Sequence, residues 1–113
     1  MRTYQAVTIL GRVGSLSDVA ETRSGNKVVN LSVATDRVDG EGNRHPEWHR
    51  VTAWGELAEL VSKYVTVGDA VHVAGRLRYG TYVRDGVEIP TAEIIAADVS
   101  FIGRPTPSGN GAK

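Results

Sequence analysis

The chain contains no cysteine, which excludes disulfide scaffolds, thiol nucleophiles and cysteine-ligated zinc or iron-sulfur centres. It also lacks an excess of either charge, because thirteen Lys and Arg balance thirteen Asp and Glu. Overall electrostatics therefore argue for neither a polyanion nor a membrane surface, and a nucleic-acid argument must rest on where the charges lie. No apolar run approaches the ~20 residues that span a bilayer. The start Met1-Arg2-Thr3-Tyr4-Gln5 leads into an alternating segment instead of a signal h-region, and the expectation is a cytoplasmic protein with no membrane partner. Aromatic rings are scarce, at 6% of 113 residues, so their positions are informative. The length suffices for one domain with a modest core and is too short for two.

What the chain does have is glycine, thirteen of them, set between short runs of Val, Ile, Leu, Thr and Tyr, a pattern of strands joined by tight loops. The first strand runs from Tyr4 to Gly14, with Gly11-Arg12-Val13-Gly14 permitting a bend or close backbone contact. A continuation is expected at Asp18 to Thr22. The second strand is Lys27 to Thr35, where Val29, Leu31 and Val33 alternate with Asn30, Ser32 and Ala34. Asp39 to Asn43 is a loop by composition. Glu47 to Trp54 is the third strand, Ala70 to Leu77 the fourth, and Val87 to Val99, broken near Pro90, the fifth, entered through an Asp85-Gly86 hairpin turn. Leu57, Leu60, Val61 and Tyr64 recur at i, i+3, i+4 and i+7 and predict one short helix with that stripe inward.

Five strands with one short helix between the third and fourth fit an all-β fold, the five-stranded Greek-key barrel called the OB-fold, which binds oligonucleotides and oligosaccharides. The expected domain is 1–102. Residues 103–113 are rich in Gly, Pro and Ser and carry too little apolar surface to offset the entropy of ordering them, so a disordered tail is expected there.

Residues two apart in a strand share a face, so Trp48, Arg50, Thr52 and Trp54 point one way and His49, Val51 and Ala53 the other. The indoles stand roughly 20 Å apart with a guanidinium between them, a ladder suited to a flexible polyanion with flat bases. Each stacked base contributes ~1–3 kcal/mol without sequence readout. The plainer alternative buries both indoles. Against it, Arg50 is a poor core residue, and Val51 and Ala53 already supply an apolar face. Tyr79 and Tyr82, beside Arg78 and near Arg84, form a second aromatic and basic cluster, with simple cross-strand packing as the alternative. Arg23 and Lys27 bracket the first hairpin turn, and Arg76 lies on the non-core side of the fourth strand; each alone is an ordinary solvated charge.

Other patterns carry less. His45 and His49 have no third partner for a metal, His72 is an exposed strand residue or a subunit contact, and Gly11 to Gly14 lacks the spacing of a nucleotide-phosphate cradle. No carboxylate pair with a base and a metal arrangement supports a nuclease, so no enzyme, cofactor or metal is expected.

Several ordered blocks resemble the bacterial single-stranded DNA-binding protein family over most of the span from Val7 to Ile102. They are Ile9-Leu10-Gly11-Arg12-Val13-Gly14, Val29 to Thr35, Glu47-Trp48-His49-Arg50-Val51 with Trp54-Gly55-Glu56-Leu57-Ala58, and Val73-Ala74-Gly75-Arg76-Leu77-Arg78. That family is a known case of sequence-tolerant OB-fold binding. The resemblance implies binding and protection of single-stranded DNA in replication, recombination or repair, in the cytoplasm at the nucleoid. Bases would stack on Trp48, Trp54 and Tyr82, with Arg12, Arg23, Lys27, Arg50, Arg76 and Arg78 as further DNA contacts. It implies a homotetramer, a dimer of dimers, with first-strand contacts at Tyr4, Ala6 and Thr8 and with His49 near an interface. The alternative is an adaptor like primosomal replication protein N, acting mainly through protein interactions. Three features depart from the family pattern. Asp36-Arg37-Val38-Asp39 lacks an aromatic, and Ala6 and Glu56 stand where lysine is common, so a weaker, more salt-sensitive complex is expected. The chain also ends without an acidic, hydrophobic tip for recruiting replication proteins, as expected of an accessory, phage or plasmid version or of a chain cut within its tail.

Overall fold

Short apolar alternation and glycine placement produce six strands and one helix across residues 1–104, the part that the computed structural model describes. In order these are β1 (Val7–Leu16), β2 (Ala20–Glu21), β3 (Lys27–Val38), β4 (Arg44–Trp54), α1 (Glu56–Tyr64), β5 (Ala70–Arg84) and β6 (Val87–Gly103). The sheet order is β1-β5-β6-β4-β3-β2, and β1 also pairs with β3, which closes the five long strands into a barrel. The short β2 only adds an edge to β3. All pairings are antiparallel except β4 with β6, which meet in parallel at Val51, Thr52, Ile94 and Ile95.

Closure depends on β1 changing partners. Val7 to Arg12 pair with β5, and Arg12 to Leu16 with β3, across a bulge between Val13 and Ser15. Gly11 makes the crossing possible, since a Cβ there would lie 2.2 Å from the Ala34 carbonyl oxygen. The enclosed space is filled mainly by valine: Val13, Val29, Val33, Val51, Val71 and Val73 from the strands meet Leu31, Ala53, Ile94 and the helix-side Ala58, Val61 and Val65. β-branched side chains suit a pleated wall, and each contributes roughly 1.5–3 kcal/mol on full burial.

The strand count, the helix and the Asp85-Gly86 turn agree with the sequence; Asp85 (φ 52°) and Gly86 (φ 76°) both take the left-handed region that such a two-residue turn needs. Several boundaries differ. The first strand begins at Val7, not Tyr4, and the second, third and fourth extend to Val38, back to Arg44 and on to Arg84. β6 is unbroken at Pro90, which stands opposite Thr81. Counting from the two-residue turn, that is a non-hydrogen-bonded pair, so proline there removes no ladder bond to β5.

The helix is turned from the expected stripe: Ala58 and Val61 are buried with Leu57 partly so, while Leu60 and Tyr64 are exposed. The buried arc centres between Leu57 and Ala58, which carries the i+3 positions to its flank. Gly103 closes β6, and Arg104 bonds the fully buried Asp69 at 3.0 Å, so two residues expected in the tail belong to the described fold. The rest of that expected tail lies outside the described residues. Among the described residues no helix is long and apolar enough to cross a membrane.

Candidate nucleic-acid interface

The antiparallel register of β3 and β4 sets four outward residues of each strand side by side: Val28 with Trp54, Asn30 with Thr52, Ser32 with Arg50 and Ala34 with Trp48. Both indoles face out, Trp48 at 59% exposure and Trp54 at 38%, with exposed Arg50 between them. This is the geometry that period-two alternation predicts. Trp48 also has a seat. A Cβ at Gly14 would lie 2.1 Å from its Cζ3 atom, so the ring rests on bare backbone at the β1 bulge. A glycine in β1 thus helps orient an aromatic two strands away.

Thr52 shares the outward register yet is only 3% exposed. β6 crosses beside it and brings Glu93, whose Oε2 accepts from the Thr52 hydroxyl at 2.6 Å; Asn30 Oδ1 lies 3.0 Å from the same oxygen. One hydroxyl proton serves one acceptor, and the carboxylate is the stronger. Glu93 Oε1 accepts from Arg78 Nε at 3.0 Å and also from its Nη2. The Thr52 hydroxyl, then Arg78 and the nearby charge of Arg50, hold the Glu93 carboxyl below the usual carboxylate range against the opposing effect of burial. Tyr82, 46% exposed on the same side of the β5–β6 hairpin, lines a hollow with Arg50 and Glu93.

The structure thus gathers Trp48, Arg50, Trp54, Arg78 and Tyr82 around one outer face and separates the other expected contacts. Lys27 has the inward parity of β3, and its Nζ lies 3.5 Å from Glu59 on α1. Arg12 starts two strands from Trp48 but sends Nη1 to the Gly68 carbonyl at 3.1 Å. Arg76 shares the outward parity of Arg78 but lines a different hollow, with Tyr4 to Thr8. Arg23 is exposed on the turn after β2. Tyr79 and Tyr82 are three apart in one strand, so they leave opposite faces of the hairpin and form no single cluster.

Among the expected oligomer contacts, Tyr4, Ala6 and Thr8 are exposed at the start of the chain and along β1. Half-buried His49 places Nε2 2.8 Å from the Thr35 hydroxyl of its own chain. His45 bonds Asp39 at 2.7 Å in the β3–β4 turn and so is separated from His49. Sequence reasoning missed Glu93 and the bonding role of Thr52. The polar alternation Thr91, Glu93 was visible, but the parallel crossing that brings Glu93 to Thr52 joins residues 41 apart and leaves no local signature.

Residues 4–102 match the Single-strand binding protein family. The chain belongs to that family. Among its relatives, a single-stranded DNA-binding protein of Xanthomonas campestris is 36% identical over 90% of this chain and 62% of its own length. Single-stranded DNA-binding protein 1 of Chlorobaculum tepidum is 34% identical over 90% of this chain and 67% of its own. This family member therefore spans roughly three fifths of the length of the Xanthomonas campestris relative. A Plasmodium falciparum single-strand binding protein, solved in complex with single-stranded DNA, superposes with a TM-score of 0.81 at 25% identity, covering 90% of this chain and 97% of that one. The closed barrel with one short helix is thus the OB-fold of this family, and nothing in the comparisons favours the adaptor alternative.

Proposed function

We propose that this protein binds single-stranded DNA with little regard to sequence and shields it during replication, recombination or repair. The observation that carries the proposal is the pair of outward indoles on β4 with Arg50 between them. Exposed rings of this size in one row mark an interface. Duplex DNA keeps its bases stacked on each other, whereas an unpaired strand can offer each base to a ring at ~1–3 kcal/mol apiece.

Arg50 reaches a phosphate or stacks on a base, and Tyr82 extends the track along the β5–β6 hairpin. Arg78 contributes while tied to Glu93; Arg12, Arg23, Lys27 and Arg76 act at the margins. This function needs positioning and no bond-making step, so the protein works without enzymatic activity. Family membership supports a homotetramer that DNA wraps, with Tyr4, Ala6, Thr8 and His49 near subunit contacts, and a place at the nucleoid in the cytoplasm.

Titrating oligo-dT while following tryptophan emission, with light scattering for mass, tests the proposal. Strong quenching by single strands and little by duplex is expected, at a scattering mass of four chains. No response at low salt would overturn the binding function, and a monomer mass would overturn the tetramer alone.

A further inference from the structure

One group on the outer face is at odds with a polyanion track. Glu93 is ionised, 27% exposed at its side chain, and set between the Trp-bearing strand and Tyr82. With Arg50 it lines two hollows, one shared with Asn30, Ser32 and Thr52 and the other with Tyr82 and Thr91. A strand running from the β4 indoles to Tyr82 passes over this ridge.

We propose that Glu93 determines what lies at the centre of the track: it turns a base edge, not a phosphate, toward the ridge and favours the bases with an exocyclic amine, cytosine, adenine and guanine, over thymine. The inference rests on the single-strand reading and gives it a specificity element. A carboxylate only accepts hydrogen bonds and offers about four acceptor positions. Arg78 Nε, Arg78 Nη2 and the Thr52 hydroxyl occupy three of them, which leaves about one for a ligand.

A phosphate oxygen at that position finds no donor on the carboxylate, which only accepts, and it meets the carboxylate's like charge even though Arg78 and Arg50 offset it. The N4 amine of cytosine, the N6 amine of adenine and the N2 amine of guanine each present an unobstructed N–H. Thymine has a carbonyl in the corresponding place, and its N3–H lies between two carbonyl oxygens that the carboxylate repels. Thr52 is a positioning residue here, since its buried hydroxyl fixes the carboxylate on β6 against β4.

The test compares oligo-dC and oligo-dT of equal length on the full chain and on Glu93→Gln, with thermal melting of both proteins. Glutamine keeps the shape but donates as well as accepts. Relative affinity for oligo-dC over oligo-dT should fall about twofold to tenfold in the variant, the range of one net hydrogen bond, while oligo-dT binds the variant at least as tightly as the native chain. An unchanged ratio in a variant that melts normally would overturn the inference. Should the variant unfold, the native chain is titrated with an oligomer of N4,N4-dimethylcytosine, which keeps the ring and loses the amine N–H. Weaker binding than oligo-dC supports the inference, and equal binding overturns it. Tight binding blind to the amine sinks this inference alone, whereas no binding of any oligomer sinks the single-strand reading with it.

Discussion

The inside and the outside of this barrel are built from different residues. Eight of the twelve apolar residues in the core are valine and none is aromatic, whereas all seven aromatic residues, Tyr4, Trp48, Trp54, Tyr64, Tyr79, Tyr82 and Phe101, are exposed. A small closed barrel has an interior only wide enough for compact side chains to interdigitate, and valine fits while stiffening the strands. On the proposed reading, stability and recognition fall to separate residue types, and on β4 they fall to opposite faces of one strand. On β4 the division is one residue wide: Val51 and Ala53 are buried between outward Arg50 and Trp54. The exception is Thr52, outward in register but covered by Glu93.

Substitutions can break this division from either side, and the largest effect should come from the interior. Leu31→Ala, at 3% exposure the bulkiest branched side chain that β3 contributes to the core, should cost about 2–5 kcal/mol of folding stability by urea unfolding. Its affinity for oligo-dT, measured where it is still folded, should stay close to that of the native chain. Trp54→Ala should do the reverse, weakening oligo-dT binding by about 1–3 kcal/mol. Its melting temperature should fall far less than that of Leu31→Ala. If Trp54→Ala mainly unfolds the protein, the indole is serving the core and the division fails.

Gly14→Ala probes the seat beneath Trp48 on the outer side. A Cβ would strike Trp48, so the ring must move, and oligo-dT affinity should drop by less than the full stacking contribution. The expected loss is below about 1 kcal/mol, read with near-native melting. Gly14→Ala that binds as tightly as the native chain would show that the seat does not orient the ring.

The smallest effect belongs to acid. Arg104 hydrogen-bonds Asp69 and, with the Thr66 backbone N–H, holds that carboxyl at about 2, down from 3.8. A carboxyl whose folded pKa is depressed contributes stability above its unfolded value and loses it as the pH falls through the folded one. Melting temperature should therefore decline between about pH 4 and pH 2. Arg104→Ala should flatten that decline and leave oligo-dT binding at neutral pH unchanged, since the contact lies with α1 and the end of β6, away from β4.

Much of the fold could be read in advance because its signals are local. Alternation in β3, β4 and β5 separates the two faces, Asp85-Gly86 dictates its own turn, and the β4 pattern alone puts Trp48, Arg50 and Trp54 on one side. The helix face was misjudged because Leu60 and Tyr64 satisfy a helical period equally well whether the barrel takes that side or its flank. Pro90 looked like a break because proline disrupts a paired strand, and only the register shows that its missing N–H would have faced away from β5. The cations were the least legible. Lys27, Arg12 and Arg78 look alike as free charges in sequence, and the structure ties them to Glu59, to the Gly68 carbonyl and to Glu93.

The order of polar and apolar residues along each strand was enough by itself to determine an all-β fold with one short helix and to set both indoles with Arg50 on a single face of β4, because side-chain direction in a regular strand follows parity. Tertiary structure alone decided that β1 bares Gly14 beneath Trp48, that β6 sets Glu93 against Thr52, and which arginines stay unpaired. Those contacts join residues far apart in the chain, and their geometry exists only once the barrel has closed.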